Sequence, residues 1–455
     1  MKKIININLF LSLVLLISGC EKKLELSNPQ SIDAATALST DDRVKKALIG
    51  NYAALGSSSL FGGDVLMMSE LLASDDELNW VGTFPDPRQI IAKAMLTNNT
   101  FAASTWSEAY SVIFNSNNIL GAINVVKDAD KNKVKGEALL QRAMVYFELV
   151  KFFGEKPFVA GNPDQLKGVP LITAVGPAAP QDVFYQLDRA SVAAIYTQVL
   201  TDAMQAETLL PNTNGVYLNK AAASMFLARV YLQQANYAAA RDAANRCITT
   251  ATANGFGLMT DFEDAFNQSA NTKEDLFAMQ VTTQAGSNSC FVYFSTATYG
   301  ARDGDIEVTD KHYDKYSSAD KRKDLFFYEA GSYRVGKWRD NYKNVKVMRL
   351  AEAYLTRAEC NSRLSTNVGA TVSADLNQTR SRAGLSLLSA PTLQNILTER
   401  ELELAFEGQG AWDAKRLKLS IDGKAYDDVK LTFPIPLREM NVNKNLTQNP
   451  GYTTN

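Results

Sequence analysis

Apolar and small residues recur at three- and four-residue spacing along most of the chain, most clearly across residues 217–248. The first half of this stretch repeats the spacing on one helix face, at Ala221, Met225, Ala228 and Leu232. The second half does the same, at Tyr237, Ala240, Ala244, Cys247 and Ile248. Asn219 is placed to cap the first helix because its side-chain oxygen can accept a hydrogen bond from a free backbone N–H. The pattern predicts two closely packed helices joined at residues 233–236, as in a tetratricopeptide (TPR) repeat.

Further helices are predicted on both sides of this hairpin by the same periodicity. Their ranges are residues 41–55, 62–78, 106–126, 135–153, 188–210, 346–364, 372–383 and 398–417. Thr398 and Glu401 match a T-x-x-E capping box, which would place the start of the last helix. An alanine followed three residues later by a tyrosine recurs at 143/146, 228/231 and 351/354. This recurrence at the same spacing indicates internal repeats. Because one hairpin cannot bury its own apolar face, we predict a mainly α chain of TPR-like stacked helical hairpins.

The helical pattern lapses between residues 254 and 343, where glycine, serine and aromatic residues replace it. The aromatic residues there include Phe291, Tyr293, Phe294, Tyr299, Tyr313, Tyr316, Tyr333 and Trp338. We predict a long, irregular, loop-rich insertion in the helical frame, and insertions of this size are uncommon unless they serve a function. Residues 79–87 are predicted to form an aromatic loop after an acidic turn, and residues 431–452 an extended tail.

The composition argues against several classes of function. The formal net charge of −2 disfavours a nucleic-acid-binding protein, which needs a basic surface. His312 is the only histidine, so neither a histidine metal cluster nor a Ser-His-Asp triad is expected. The four cysteines form no CxxC motif, and Cys247 and Cys360 lie on apolar helix faces, where a small buried thiol is the simpler interpretation. We therefore expect no metal site and no cofactor.

The first twenty residues have the pattern of a bacterial lipoprotein signal peptide. Two lysines precede an apolar run at residues 9–17 that is too short to span a bilayer. The run leads into Ile-Ser-Gly-Cys at residues 17–20, a lipobox, in which the Cys20 thiol takes a diacylglyceryl group. Residues 1–19 are thus predicted to be a signal peptide, Cys20 to be lipidated and residues 20–30 to form a tether. The alternative is an ordinary secretory signal with an incidental cysteine.

Four blocks of sequence resemble the SusD/RagB family of outer-membrane nutrient-binding lipoproteins. They are GEALLQRAMVYFELVKFFGEKPF (136–158), KVMRLAEAYLTRAEC (346–360) with LNQTRSRAGL (376–385), ERELELAFEGQGAWDAKRLK (399–418) and PIPLREMNVNKNLTQNPGY (434–452). The resemblance implies one SusD-like helical domain over residues 31–455, an α-α superhelix with the insertion at about 254–343. One departure is Gly410, where the family more often has an arginine. The glycine removes a charge partner for Glu407 or Asp413.

The resemblance also implies a function. Proteins of this family are not enzymes, and a lipid holds them to the outer membrane of Bacteroidota, where we expect the outer face. They cap a SusC-like TonB-dependent transporter and capture a glycan or another nutrient. The resemblance therefore implies a polysaccharide or oligosaccharide ligand, a transporter partner and a role in nutrient uptake.

The candidate ligand-binding residues follow from the chemistry of sugars. A sugar ring has an apolar C–H face and a polar rim, so recognition needs an exposed flat aromatic ring with polar side chains at its edge. We predict the following ligand-binding residues, three rings and two hydrogen-bonding partners: Trp80, Tyr299, Trp338, Asn79 and Arg302. The alternative for each ring is core or loop packing, which we expect for the helical Trp106 and Trp412.

Two sets of charged residues have alternative interpretations. Residues 303–305, Asp-Gly-Asp, could ligate calcium, although two carboxylates in a turn are more often simply solvated. The second set shares one predicted helix and comprises Arg400, Glu403, Glu407, Asp413 and Arg416. It could hold the carboxylate pair of a glycoside hydrolase, but ion pairs on the helix surface are the favoured interpretation. A TPR-type envelope scaffold that binds protein partners is the other alternative function.

Overall fold

The computed structural model describes residues 34–173 and 187–453, so the predicted signal peptide, Cys20 and the tether lie outside the described residues. The described chain is mainly helical, as predicted. Its α-helices are α1 (Ala34–Ala37), α2 (Asp41–Leu55), α3 (Asp64–Ala73), α4 (Pro85–Ile91), α5 (Thr100–Gly121), α6 (Asp128–Phe153), α7 (Val192–Leu209), α8 (Lys220–Gln233), α9 (Tyr237–Ala253), α10 (Ser289–Phe294), α11 (Asp310–Tyr313), α12 (Leu350–Leu364), α13 (Val372–Arg382), α14 (Leu393–Leu404), α15 (Gly410–Arg416) and α16 (Leu437–Val442).

The hairpin predicted at residues 217–248 is formed by α8 and α9, which pack against each other. Asn219 caps α8 as predicted, because its side-chain oxygen accepts a hydrogen bond from the Ala222 N–H at 2.9 Å. Ala235 takes a left-handed conformation in the joint, with φ of 55°, and Asn236 caps α9. Neighbouring helices stack in the same way, α5 on α6, α6 on α7, α9 on α12 and α12 on α13. This stacking is the TPR-like frame that the periodicity predicted.

The insertion is loop-rich, as predicted, but it also provides most of the strands, which the sequence did not reveal. The strands are β1 (Leu78–Trp80), β2 (Asp275–Met279), β3 (Ile306–Val308), β4 (Phe326–Glu329), β5 (Ser332–Val335) and β6 (Val345–Arg349). Strands β1, β3, β5 and β4 form an antiparallel sheet in that order, and β2 pairs with β6. Strands of three to five residues are too short to show a clear two-residue alternation in the sequence.

Two predicted helices differ from the structure near the end of the frame. The helix predicted from residue 346 begins at Leu350, because the residues before it form β6. The single helix predicted at 398–417 is two helices, α14 and α15. The break contains Phe406, whose φ of 65° is incompatible with a right-handed helix.

The predicted capping box of the last helix is also wrong. Helix α14 begins at Leu393, so Thr398 and Glu401 lie inside it. The box is formed by Thr392, whose side chain accepts from the Asn395 N–H at 3.2 Å. In return the Asn395 side-chain oxygen accepts from the Thr392 N–H at 3.0 Å. Asparagine at the third helical position thus satisfies the same backbone donor as the glutamate of the usual motif.

Two other segments predicted to be irregular contain regular structure. Residues 79–87 hold the end of β1 and the first turn of α4, which begins at Pro85. Proline suits that position because the first N–H groups of a helix have no partner within the helix. The tail at residues 431–452 contains the short helix α16.

One large apolar core joins the helices and the insertion. Trp106 and Trp412 lie in it as predicted, 3% and 2% exposed, and Cys247 is buried there too. Cys360 is buried in a smaller cluster with Leu232. Among the helices of the described chain, none has both the length and the apolar character needed to cross a bilayer.

A group of buried ion pairs ties the insertion to the frame. Arg349, the last residue of β6, donates to Glu407 at 2.7 Å, to Glu274 at 2.5 Å and to Glu403 at 3.1 Å. Arg382 of α13 binds Glu274 and Glu403 as well. We name these five residues the charge cluster, and none of their side chains is more than 8% exposed. Charges at this depth are tolerated only because each has an oppositely charged partner.

Lys337 extends the charge cluster into the turn after β5. Its Nζ donates to the Glu407 carboxylate at 2.7 Å and to the Glu403 carbonyl at 2.8 Å. The rings of Phe262 and Phe266 cover it, with centroids 5.1 and 4.8 Å from Nζ. These contacts fix the position of the four-stranded sheet relative to the helices.

Candidate functional site

Two of the predicted ligand-binding residues, Asn79 and Trp80, point to opposite faces of the sheet, because successive side chains of a strand alternate. Asn79 is exposed and lies opposite Glu307 of β3. Trp80 points the other way and is 7% exposed, with its ring centroid 5.7 Å from that of Tyr293. The Trp80 Nε1–H donates to the Phe84 carbonyl at 3.0 Å. The expectation that Trp80 presents an open ring is therefore wrong.

Trp338 is buried as well. Its side chain follows β5 in a short 3-10 turn and is 2% exposed. Its Nε1–H donates to the Phe406 carbonyl at 2.9 Å, and its ring meets that of Phe266 edge to face at 6.5 Å. The expectation of an exposed ring fails here too, because Trp338 packs the insertion against the frame beside the charge cluster.

Residues 296–305 lie over the same face of the sheet as Asn79. Arg334 of β5 is buried beneath this segment and donates to the carbonyls of Gly304 at 2.8 Å and Ile306 at 3.1 Å. Gly304 has φ of 76°, and a Cβ on it would lie 3.0 Å from Arg334 Nη1. Glycine is needed here for both the conformation and the close approach. Arg334 also donates to Glu307 at 3.3 Å, so the segment rests directly on the strands.

Arg302 is held at the edge of this face. Its Nε donates to Asp305 at 2.7 Å and its Nη2 to the Thr83 hydroxyl at 2.9 Å. The guanidinium lies 4.5 Å from the centroid of the Phe84 ring, and 35% of the side chain is exposed. These hydrogen bonds use two of the five N–H donors of an arginine. The remaining donors of a side chain already fixed in place are available to a ligand.

The same contacts bear on the calcium hypothesis for residues 303–305. The Asp305 carboxylate accepts from Arg302 and the Gly304 carbonyl accepts from Arg334. Burial raises the pKa of Asp305, and its contact with Arg302 opposes that rise. Within residues 34–173 and 187–453, no three His, Cys, Asp or Glu side chains are grouped so that they could hold a metal ion. Arginines therefore already engage the Asp305 carboxylate and the Gly304 carbonyl.

Tyr299 is the one predicted ring that is partly open. It ends a 3-10 turn, is followed by Gly300 with φ of 84°, and is 38% exposed. Its ring meets Phe327 edge to face at 5.3 Å, and the Arg339 guanidinium lies 5.5 Å from its centroid. The ring is therefore held in a fixed orientation while part of it faces solvent.

Phe84 is an exposed ring that the sequence analysis did not single out. It is 38% exposed and carries the Arg302 guanidinium. Strand alternation could not reveal it, because the chain leaves β1 after Trp80. The Phe84 ring also meets that of Tyr293 at 6.4 Å, so it lies at the edge of the sheet. We name the following group, which joins this edge to the side chains on the face of Asn79, the outer face: Asn79, Phe84, Tyr299, Arg302 and Glu307.

A separate group of aromatic residues lies on the opposite side of the sheet. Tyr313 stacks on Tyr333 with centroids 3.6 Å apart, and Tyr328 meets Tyr333 edge to face at 5.2 Å. Tyr333 lies opposite Val308 of β3, whose side chain points away from the outer face. Tyr328 is 65% exposed. We name these three tyrosines the tyrosine cluster.

The charged residues of α14, α15 and the break between them form ion pairs, but the pairs are buried rather than on the helix surface. The buried members are Arg400, Glu403, Glu407 and Arg416. Asp413 accepts from Arg400 at 2.7 Å and from Arg416 at 2.6 Å. Burial acts to raise the pKa of Glu407, but Arg349 and Lys337 outweigh it and lower that pKa to about 2. A carboxyl group that is ionised at neutral pH is unsuited to act as a general acid.

The sequence suggested that Gly410 would deprive Glu407 or Asp413 of a positively charged partner. In the structure, the carboxylate beside Gly410 that has no such partner belongs to Glu70. Glu407 and Asp413 both bind arginines. Gly410 lies instead beside Glu70, whose carboxylate accepts from the Gly410 N–H at 3.2 Å and the Gly408 N–H at 2.8 Å. No lysine or arginine of the described residues forms an ion pair with Glu70.

Comparisons with known proteins decide the family. A family model described as "Starch-binding associating with outer membrane" matches residues 31–232, and the model of the SusD family matches residues 257–428. The chain belongs to the SusD/RagB family. The two SusD-type matches together take in both the helical frame and the insertion, so the resemblance of the four sequence blocks is confirmed.

The similar proteins agree with this assignment. SusD-like protein P2 of Formosa agariphila is 26% identical over 97% of this chain and 99% of its own length. The starch-binding protein SusD of Bacteroides thetaiotaomicron is 30% identical over 24% of this chain and 22% of its own. A solved SusD superfamily protein from Bacteroides thetaiotaomicron matches with a TM-score of 0.81 at 24% identity, covering 90% of this chain and 100% of that one. Surface glycan-binding protein A from the same species has a TM-score of 0.75 at 19% identity, over 91% and 100% of the two chains.

Proposed function

We propose that this SusD-family protein binds a glycan through its outer face. The observation that carries the proposal is the grouping around Arg302, whose guanidinium lies 4.5 Å from the centroid of the partly exposed Phe84 ring. The segment that holds Arg302 also presents the partly exposed Tyr299 over the sheet face that carries Asn79. A sugar stacks its C–H face on such a ring, while its hydroxyl groups bind polar side chains at the ring edge. The relative named for starch binding supports the same class of ligand.

The polar groups of the outer face are positioned before a ligand arrives. Arg302 is held by Asp305 and Thr83, so it loses little side-chain freedom on binding. Asn79 and Glu307 lie opposite each other on paired strands. The exposed Asn79 side-chain amide forms no hydrogen bond with any described residue. The face thus offers both N–H donors and carboxylate or amide acceptors, which is the combination that hydroxyl groups need.

We further propose that a lipid on Cys20 anchors the protein to the outer face of the outer membrane. The lipobox at residues 17–20 supports this, as does the outer-membrane association in the description of the family model. Cells expressing Cys20→Ala should not incorporate radioactive palmitate into the protein, whereas wild type should. Equal labelling of the two would contradict the anchor.

The protein is proposed to deliver its ligand to a SusC-like TonB-dependent transporter and to act without catalysis. The buried ion pairs of Glu407 and Asp413 support the second part, because they engage carboxylates that a hydrolase would need free. Purification from membranes should recover a large barrel protein with this chain. Recovery of soluble envelope proteins in its place would favour the scaffold alternative.

A polysaccharide panel tests the binding function. The chain beginning after Cys20 is run in native gels that each contain one polysaccharide, with albumin as the non-binding control. We expect at least one neutral polysaccharide to retard the protein and to keep its length after incubation. A folded protein that no member of a broad panel retards would contradict glycan binding, and shortened products would indicate a glycoside hydrolase.

A further inference from the structure

A cavity of about 460 Å³ lies between the end of α3, the acidic turn at residues 74–77, α14 and α15. Its apolar lining includes Leu78, Leu397, Leu404, Phe406, Leu417 and Ile421. No residue of the outer face lines it. Sites for small organic ligands typically have volumes of roughly 300–1,000 Å³. The cavity is therefore large enough for a ligand of its own.

Glu70 is a buried acceptor in the wall of this cavity. It is 8% exposed, and its hydrogen bonds from the Gly408 and Gly410 N–H groups both reach Oε1. Burial raises the pKa of Glu70 to about 7, against the effect of these backbone hydrogen bonds and of the nearby positive charge of Lys337. A buried carboxylate is normally paired with a cation, and among the described residues Glu70 forms no ion pair.

His312 is a buried residue in the same wall. Its side chain is 5% exposed, and its Nδ1 lies 2.7 Å from Glu77 Oε2. Because an ionised carboxylate can only accept, Nδ1 is the donor, and in the neutral ring Nε2 is left as an acceptor. The Nε2 atom has no hydrogen-bond partner in the described chain. Protein atoms enclose Nε2, so it is not open to a ligand, and Glu70 is the acceptor that this wall presents.

The positive side chains that line the cavity are already engaged. Arg363 and Arg416 bind Glu359 at 2.8 and 2.7 Å, and Arg400 binds Asp413 at 2.7 Å. None of the three forms an ion pair with Glu70. Among the described residues, the wall therefore holds no cation that is paired with Glu70.

We propose that this cavity binds an organic ammonium ion whose hydrocarbon body lies against the apolar lining. The ammonium group supplies both a positive charge and N–H donors to Glu70. A neutral alcohol supplies a donor but no charge, and a carboxylate adds a second negative charge. A bare metal ion would leave the apolar part of the cavity unfilled.

Calorimetric titration of the full-length protein in detergent tests the proposal. The probe is cyclohexylammonium chloride at about pH 8, where Glu70 with its pKa of about 7 is ionised. The control ligand is cyclohexanol, which has the same ring and no charge. Wild type is expected to bind the ammonium at least about tenfold more tightly than the alcohol, a difference typical of one lost charged contact.

Two variants locate the binding. Glu70→Gln keeps an oxygen for the two glycine N–H groups but loses the charge, so the preference for the ammonium should disappear. Gly410→Arg would place a guanidinium beside Glu70 and should abolish binding of the ammonium. Equal affinities of wild type for the two probes, or an unchanged preference in a folded variant, would overturn the proposal.

The outcome is independent of the proposed glycan function. Glu70→Gln is expected to be retarded by polysaccharide as wild type is, because Glu70 lies outside the outer face. Loss of ammonium binding with normal polysaccharide binding supports the cavity as a separate site. A wild type that fails to bind polysaccharide but shows the ammonium preference would contradict only the glycan proposal.

Discussion

Arg349 and Arg302 make the same chemical contact in two different settings. Each donates from Nε to a carboxylate at 2.7 Å, Arg349 to Glu407 and Arg302 to Asp305. The Arg349 side chain is 1% exposed and the Arg302 side chain 35%. Arg349 also binds two further carboxylates of the charge cluster, whereas Arg302 keeps N–H donors free.

Burial decides what each arginine contributes. In the charge cluster, removal of one partner leaves the others as uncompensated charges that water cannot reach. At the outer face, water replaces a lost partner, so the pair adds little to stability. The insertion therefore combines a base fixed by buried charges with a surface whose polar groups remain available to a ligand.

The largest effect is expected from Arg349→Met. The substitution leaves three carboxylates of the charge cluster short of a cation, so the free energy of unfolding should fall by about 3–5 kcal/mol. Urea denaturation measures it. Arg246→Met is the matched control, because the Arg246 side chain is 47% exposed in its pair with Glu207. The control should lose less than about 1 kcal/mol, and equal losses would show that burial does not distinguish the pairs.

Glu70 sharpens the comparison, because it is buried and forms no ion pair with a described residue. Its folded-state pKa of about 7 lies above the ordinary value of 4.5. The proton is therefore held more tightly in the folded state, and the stability it contributes is present below about pH 4.5 and lost as pH rises through about 7. Relative to Glu70→Gln, wild type should lose roughly 3 kcal/mol over that window.

Urea denaturation of wild type and Glu70→Gln across the pH range checks this expectation. The glutamine keeps an acceptor for both glycine N–H groups, so it imitates the protonated acid at every pH. A difference between the two proteins that does not change with pH would show that Glu70 titrates normally.

Trp338→Phe is expected to have a smaller effect. The ring is largely kept, but the Phe406 carbonyl loses the Nε1–H that donates to it at 2.9 Å. An unsatisfied buried acceptor costs about 1–3 kcal/mol, which thermal unfolding would show. Trp106→Phe is the matched control, because Trp106 is 3% exposed and its indole N–H bonds no described residue. If both substitutions cost the same, the hydrogen bond does not anchor the insertion.

The frame could be predicted because its signals are local. In α8 and α9 the apolar period, the Asn219 cap and the joint all lie within one hairpin, and the structure confirms each. The insertion depends on partners distant in sequence. Whether Trp80 points inward is decided by the pairing of β1 with β3, and the three residues of β1 carry no pattern that reveals it.

The candidate site could be predicted only in part for the same reason. The sequence indicates where aromatic residues are concentrated. It does not distinguish a ring that packs in the core from a ring that binds a ligand, because the residue type is the same. Trp338 is buried against Phe406, a residue distant in the sequence, and no local pattern predicts that contact. Glu70 had a usable signal, since it is the one charge in the middle of the otherwise apolar helix α3. That signal indicates burial, but not that the carboxylate lacks a cation.

The most direct test of glycan binding at the outer face is affinity electrophoresis of Tyr299→Ala beside Tyr328→Ala, on the polysaccharide that retards wild type most. Both tyrosines are exposed, 38% and 65%, and thermal unfolding of the two variants should change little. Loss of one stacking ring is worth roughly 1–1.5 kcal/mol, so Tyr299→Ala should bind about tenfold more weakly while Tyr328→Ala binds as wild type. A folded Tyr299→Ala that binds as tightly as wild type, or an equal loss in Tyr328→Ala, would contradict binding at the outer face.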